Sequence, residues 1–305
     1  MKTIRHINLM SLFLLCFAFS SCAKGPDVSD EVLDELAQQV GDVMASIDEA
    51  GGSSGTLSQH ERSFHRMRDR LNPEFSIPGL MPVAHAASCI DTGFALCHTS
   101  SRSMVRTFSD CTLGLASFSG TVSLKWSGAG AGCSLGLPLS GGIITRVPEF
   151  TVTGLRGATL KVSREAPSGY GQRLTHVSGL GNSAQFKFSS DGIRRVFTLP
   201  DGSTLVDLTS STLSDLTLTG AERSSSRVLS GGVIRVKNNQ SDFSCDFSPE
   251  DVTWSSTCNC PVSGSWQATC SDGKTSSIRL TGCGSAEFSY GLETQNISFD
   301  RCFGI

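Results

Sequence analysis

The most regular feature of the chain is an alternation of apolar and polar residues that follows Cys89. Val122, Leu124 and Trp126 alternate with Ser123 and Lys125. The same period of two recurs in the runs 158–162, 186–188, 216–218, 278–280 and 297–299. Because successive side chains on a β-strand point to opposite faces, the pattern predicts half-buried antiparallel strands.

The connections between these runs support the same fold class. Asp191-Gly192, Asp201-Gly202 and Asp272-Gly273 predict hairpin turns. No long amphipathic pattern interrupts residues 89–305, which disfavours parallel α/β folds. We therefore predict a mainly β fold, with disulfide-stapled antiparallel sheets in a sandwich or an extended meander. The segment LSGGII at 139–144 recurs as LSGGVI at 229–234, so two modules dividing near residue 200 are also considered.

The region before the strands has helical periodicity. Apolar residues at helical spacing run from Val32 to Ile47; Ser29 or Asp30 can cap this helix and Gly51-Gly52 can end it. A capping-box pattern at residues 58–61 introduces a second apolar face, so residues 29–72 are predicted to form a helical hairpin or an oligomeric stalk. Residues 73–88 contain Pro78 and Pro82 and are predicted to be an extended linker.

The N-terminal segment has the layout of a targeting signal. Lys2 and Arg5 precede an apolar run at residues 7–19, which is too short to span a bilayer comfortably. Phe19-Ser20-Ser21-Cys22 follows and resembles the lipobox of bacterial lipoproteins, although Phe19 stands where that family prefers leucine. Cleavage at an ordinary secretion site that includes Ser21, Cys22 and Ala23 is the alternative.

The lipobox resemblance implies a location. It implies that residues 1–21 are a cleaved signal peptide, that Cys22 carries the lipid (diacylglycerol and palmitate), and that residues 22–28 are a lipid-anchored spacer. Ala23 in place of Asp implies sorting to the outer membrane. We therefore expect a protein of the cell envelope that is anchored to a membrane, on either the periplasmic or the surface face.

Ten cysteines remain when Cys16 leaves with the signal and Cys22 is acylated. An even set in a secreted chain predicts five disulfides, with Cys111–Cys133 and Cys283–Cys302 as candidate sequential pairs and the other connections open. The spacing Cys258-Asn259-Cys260 does not match a zinc knuckle, so we expect no metal site. The disulfide-forming residues are Cys89, Cys97, Cys111, Cys133, Cys245, Cys258, Cys260, Cys270, Cys283 and Cys302.

Charge and motifs exclude several function classes. Loss of Lys2 and Arg5 leaves 23 basic against 28 acidic residues, a net charge of −5, which argues against a nucleic-acid partner. No nucleophile elbow, Walker loop or dinucleotide fingerprint occurs in a suitable context, and no cofactor or catalytic residue is predicted. Glu250 and Asp251 are adjacent, so on a regular strand they would point to opposite faces.

Two functions remain. The favoured one is a non-enzymatic β body that binds an envelope protein or a surface glycan, or lends structure, while its lipid holds it to the membrane. The alternative is a secreted hydrolase of a polymer, whose carboxylates meet only in the fold. An aromatic platform for a glycan would draw on Trp126, Trp254, Trp266, Tyr170 and Tyr290, which are otherwise expected in the core.

Overall fold

The computed structural model describes residues 29–50, 98, 100–113, 116–129, 137–154, 156–220 and 227–302. Within these residues it contains one α-helix and sixteen antiparallel strands, so the predicted mainly β fold is confirmed. The helix is α1 (Asp30–Ala50). The strands are β1 (Ser103–Leu113), β2 (Ala116–Gly128), β3 (Gly142–Gly154), β4 (Thr159–Arg164), β5 (Gln172–Ser178), β6 (Gln185–Ser190), β7 (Ile193–Thr198), β8 (Thr204–Ser214), β9 (Leu216–Thr219), β10 (Val228–Ser230), β11 (Val233–Asn238), β12 (Ser244–Trp254), β13 (Pro261–Cys270), β14 (Thr275–Gly282), β15 (Ser285–Tyr290) and β16 (Glu293–Ser298).

The strands form one meander in chain order. β1 pairs with β2 and β2 with β3, and β12 to β16 pair successively in the same way. Between them, β4 and β5 lie in line along one edge of β3. The pairs β6 and β7, β8 and β9, and β10 and β11 continue this arrangement. Each pair therefore acts as two halves of one long, interrupted strand.

At an interruption the backbone leaves the strand conformation, and the chain then continues as the second half of the same strand. Gly232, between β10 and β11, has a φ of +84°, and a Cβ there would lie 2.3 Å from the carbonyl oxygen of Asp215. The expectation for Asp191-Gly192 was wrong, because β6 and β7 do not pair with each other and the dipeptide joins two halves of one strand. Asp201-Gly202 and Asp272-Gly273 do lie in hairpin turns, between β7 and β8 and between β13 and β14.

The sheet curls around α1. The helix contacts β3, β5, β8 and β11, and it also bonds to residues 298–301, which follow β16. In a flat meander β3 and β16 would be about 43 Å apart, at about 4.8 Å per strand. A helix about 10–12 Å wide reaches both only if the sheet bends round it.

One hydrophobic core joins the helix and most of the strands. Leu36, Val40 and Met44 of α1 belong to the same buried cluster as Phe188 of β6 and Trp266 of β13. Residue 200 lies in the turn between the paired strands β7 and β8, so it marks no boundary in this sheet or its core. The second predicted helix, at residues 58–72, and the linker at residues 73–88 lie outside the described residues.

The meander has its turns at two ends. One end, called here the 291 end, contains the turns at 199–203, 239–243, 271–274 and 291–292. The opposite end, called the 180 end, contains those at 179–184, 255–260 and 283–284. Helix α1 runs from the first to the second, because Leu33 lines a cavity with Thr294 near the start of β16, whereas Gln38 bonds to Ser298 at its end.

Candidate functional site

The enclosed helix is the most unusual feature of the molecule. All thirteen residues from 35 to 47 are buried, whereas an amphipathic surface helix leaves a polar face in water. The first helix is therefore enclosed by the sheet, while the hairpin or stalk over residues 29–72 stays a prediction, because residues 51–72 lie outside the described residues. The polar positions of the helix have the pattern of a face exposed to water. In the structure they contact residues from distant parts of the chain.

An ion cluster lies where the polar face of the helix meets the sheet. The Asp42 cluster consists of Gln39 and Asp42 on α1, Arg195 on β7, and Arg301 after β16. Arg195 is ion-paired with Asp42 and donates to Gln39 Oε1 at 3.2 Å. Arg301 Nη1 lies 3.6 Å from Asp42 Oδ1 and donates to Ser46 Oγ at 3.4 Å. Three parts of the chain thus converge on one carboxylate.

The charged side chains of the Asp42 cluster are buried away from water. Burial lowers the pKa of Arg195 well below its ordinary value, the positive charge of Arg301 lowers it further, and Glu35 opposes the change. Arg195 and Arg301 are 6% and 2% exposed. Two guanidinium groups in such surroundings require a carboxylate between them, so Asp42 fixes the position of α1 within the sheet.

The segment after β16 closes over the helix. Gln38 Nε2 donates to the carbonyl oxygen of Ser298 at 2.8 Å, and its Oε1 accepts from the backbone N–H of Asp300 at 3.0 Å. Phe299 packs on Gly41 so closely that a Cβ at Gly41 would lie 2.4 Å from its ring. The helix is therefore held from both the sheet side and the side of this closing segment.

Disulfides anchor this closing segment and its surroundings. Cys260 pairs with Cys302, and the side chain of Asn259 donates to the carbonyl oxygen of Arg301 at 2.8 Å. Cys258 pairs with Cys283. The suggested pair Cys283–Cys302 is therefore wrong, because the turn between β12 and β13 supplies both with partners.

The remaining cysteines divide between described and undescribed residues. Cys245 and Cys270 face each other on β12 and β13 and form a cross-strand disulfide. Cys111 is disulfide-bonded as well. Cys22, Cys89, Cys97 and Cys133 lie outside the described residues, so acylation at Cys22 and the pair Cys111–Cys133 stay predictions.

A cavity of about 200 Å³ lies at the 291 end, beside the start of α1. Its lining includes Leu33, Phe288, Tyr290 and Glu293. Burial, the hydrogen bond to Asp272 and the charge of Asp272 together raise the pKa of Tyr290. This cavity therefore lies where the N-terminal part of α1 meets the sheet.

The aromatic residues considered for a glycan platform lie mainly in the core. Trp126, Trp254, Trp266 and Tyr290 are all buried, and Arg227 stacks on Trp254 inside the protein. Tyr170 is half-buried and lies under the guanidinium of Arg173. These residues therefore do not form an exposed stacking surface.

Asp207 and Asp242 are ion-paired rather than arranged for acid–base catalysis. Arg194 and Asn239 hold the pKa of Asp207 below its usual range, although burial acts in the opposite direction. The pKa of Asp242 is lowered by its hydrogen bond with Lys237. Glu250 and Asp251 are both exposed, because Asp251 has a φ of +49° in a bulge of β12 and the expected alternation fails there.

Three or more His, Cys, Asp or Glu side chains do not come together as a metal site anywhere in the part of the chain described. His176 lies against Phe186, and its Nε2 is 3.0 Å from the carbonyl oxygen of Gly179. Among the described residues there is also no helix of the length and apolar character needed to cross a membrane.

Comparisons of the chain with protein-family models, with curated proteins and with solved structures found no match.

Proposed function

We propose that the protein is a membrane-anchored lipoprotein of the cell envelope, with Cys22 acylated and with a non-enzymatic β body that acts as a binding or structural module at the outer membrane. The signal-like segment at residues 1–21 and the lipobox-like Phe19-Ser20-Ser21-Cys22 support the anchor. The disulfides within the β body suit an oxidising compartment outside the cytoplasm.

One observation carries this proposal. Helix α1 begins eight residues after Cys22, and it is the enclosed centre of the body. An anchor on Cys22 would therefore act directly on the folded core. Side chains of α1 from Leu33 to Ile47 pack inside the sheet, and the Cys260–Cys302 disulfide holds the segment that closes over them.

Exposed apolar residues at the 180 end support the binding part of the proposal. Leu180 in the turn after β5, Val177 at the end of β5 and Leu139 before β3 are 77%, 50% and 57% exposed. They lie at the 180 end, where β3 and β5 are paired neighbours. Exposed apolar side chains favour a protein partner over a glycan, which needs exposed aromatic rings for stacking.

The anchor can be tested by metabolic labelling of cells with an alkyne fatty acid, followed by separation of inner and outer membranes. The native protein should carry the label and sediment with the outer membrane. Cys22→Ser should abolish the label, while the matched variant Cys16→Ser should keep it. A labelled Cys22→Ser protein, or a native protein without label in the soluble fraction, would contradict the proposal.

A further inference from the structure

The direction of α1 determines which end of the body lies nearest the anchor. Leu33, close to the start of the helix, lines a cavity with Tyr290, Glu293 and Thr294 of the 291 end. Gln38 then bonds to Ser298 and Asp300, and Ser46 to Arg301. The helix therefore runs parallel to β16, and its N-terminal residue is at the 291 end.

The length of chain before the helix limits where the anchor can be. Cys22 lies eight positions before Asp30, with seven residues between them. Even fully extended, this stretch of chain spans at most about 29 Å at about 3.6 Å per residue. The helix itself has 21 residues and is about 32 Å long at 1.5 Å per residue, so it occupies the distance from the 291 end towards the 180 end.

These two lengths favour one orientation. For the 180 end to touch the membrane, the chain between Cys22 and Asp30 would have to run back along the whole body, and its greatest length is less than that of the helix it would have to pass. With the 291 end towards the membrane, the same residues connect the anchor and the helix without strain. The tether therefore favours the 291 end.

The 291 end presents one fully exposed apolar side chain. Leu292 forms the two-residue turn between β15 and β16 with Gly291, and its relative exposure is 104%. Its neighbours Tyr290 and Glu293 line the cavity beside the start of α1. In the adjoining turn the ammonium of Lys274 lies 4.7 Å from the centre of the Tyr290 ring. The Tyr290 ring itself is buried, so what this end offers a membrane is the apolar tip of Leu292 and the half-exposed ammonium of Lys274, which suit the boundary between headgroups and acyl chains.

We propose that the 291 end faces the lipid bilayer and that Leu292 inserts at its interface as a second contact beside the lipid on Cys22. This orientation rests on the proposed anchor. A single leucine adds little affinity of its own, so its effect is to set the orientation of a body that the lipid already holds. The exposed Leu139, Val177 and Leu180 then point away from the membrane, towards the partner.

Quenching of tryptophan fluorescence by brominated lipid can test this orientation. Trp126, Trp254 and Trp266 are buried and contribute background fluorescence. The native protein, which has only these tryptophans, gives the size of that background. The acylated full-length protein would be reconstituted on vesicles of brominated phosphatidylethanolamine and phosphatidylglycerol. Leu292→Trp places a probe at the 291 end, and Leu180→Trp is the matched control in an exposed turn at the 180 end.

The expected result is that emission from the probe in Leu292→Trp falls roughly twofold, as for a side chain at the headgroup–acyl boundary, while that in Leu180→Trp is unchanged. Quenching of Leu180→Trp alone, or of neither probe on protein that floats with the vesicles, would overturn the orientation and leave the anchor intact. Failure of the native protein to float with the vesicles would overturn the proposed anchor itself and, with it, this inference.

Discussion

Asp42 is the residue on which the enclosure of the helix most depends. Its carboxylate meets Arg195 from the sheet and Arg301 from the closing segment, and all three side chains are buried. Exchange of such a group for a neutral one leaves buried positive charge without this counterion, a much larger loss than that of an exposed ion pair.

The corresponding prediction concerns Asp42→Asn. We expect the free energy of unfolding to fall by about 3–5 kcal/mol, because the two buried guanidinium groups lose their shared carboxylate. The matched control is Asp246→Asn, which breaks the half-exposed pair with Arg235 and should cost about 1 kcal/mol or less. Urea unfolding followed by circular dichroism measures both. Equal losses would show that Asp42 has no special role.

Helix α1 could be predicted from the sequence, but the partners of its polar residues could not. The spacing of apolar residues from Val32 to Ile47 was enough to predict a helix here, and α1 is observed at Asp30–Ala50. The partners of its polar face were not predictable, because Arg195 lies 156 residues from Gln39 and Arg301 lies 259 from Asp42. A buried Asp with a distant Arg and a solvated Asp have the same appearance in a single sequence.

The packing of α1 on the closing segment determines whether a substitution at Gly41 raises or lowers the free energy of unfolding. Gly41→Ala in an ordinary helix would stabilise by about 1 kcal/mol, because alanine has the higher helix propensity. Here the added Cβ would lie 2.4 Å from Cδ1 of Phe299, so we expect a net loss of about 1–3 kcal/mol from overpacking.

A second variant, Phe299→Leu, tests whether the contact between residue 41 and Phe299 causes the loss of stability. If the loss arises from the collision, Phe299→Leu should make Gly41→Ala less costly, and a double-mutant cycle on the free energy of unfolding would show a favourable coupling. Stabilisation by Gly41→Ala alone would mean that the helix and the closing segment are not in contact.

The broken strands lead to a further prediction. Gly232 and Gly202 have nearly the same φ, +84° and +86°, but a Cβ at Gly202 would meet nothing within 4 Å. Alanine at either site should cost about 1–2 kcal/mol of backbone strain. At Gly232 the collision with the carbonyl oxygen of Asp215 should add about 1–3 kcal/mol, which thermal or urea unfolding of the two variants would reveal. Similar losses would contradict the account of the strand break.

The strands themselves were the most predictable elements. Leu124 and Trp126 were expected on one face of a strand and are both buried in β2. The alternation could not reveal that β6 and β7 are halves of one interrupted strand, because Asp-Gly suits both a hairpin turn and a break. Only the pairing of each half with different neighbours distinguishes the two.

The helix and the sheet form a single body. Leu33, Leu36, Val40, Met44 and Ile47 are buried in the shared core, and full burial of one such side chain contributes about 1.5–3 kcal/mol. Their sum is comparable to the net stability of a typical domain. Helix α1 is therefore a permanent part of the fold, and the proposed anchor is attached to that fold by only a few residues.

Hydrogen–deuterium exchange of the native full-length protein can show whether α1 is enclosed by the sheet. We predict that backbone amides at residues 35–47 exchange as slowly as those of β12 and β13, through opening of the whole sheet. Exchange of these amides within seconds, with the sheet still protected, would mean that α1 is an exposed stalk and would contradict the account.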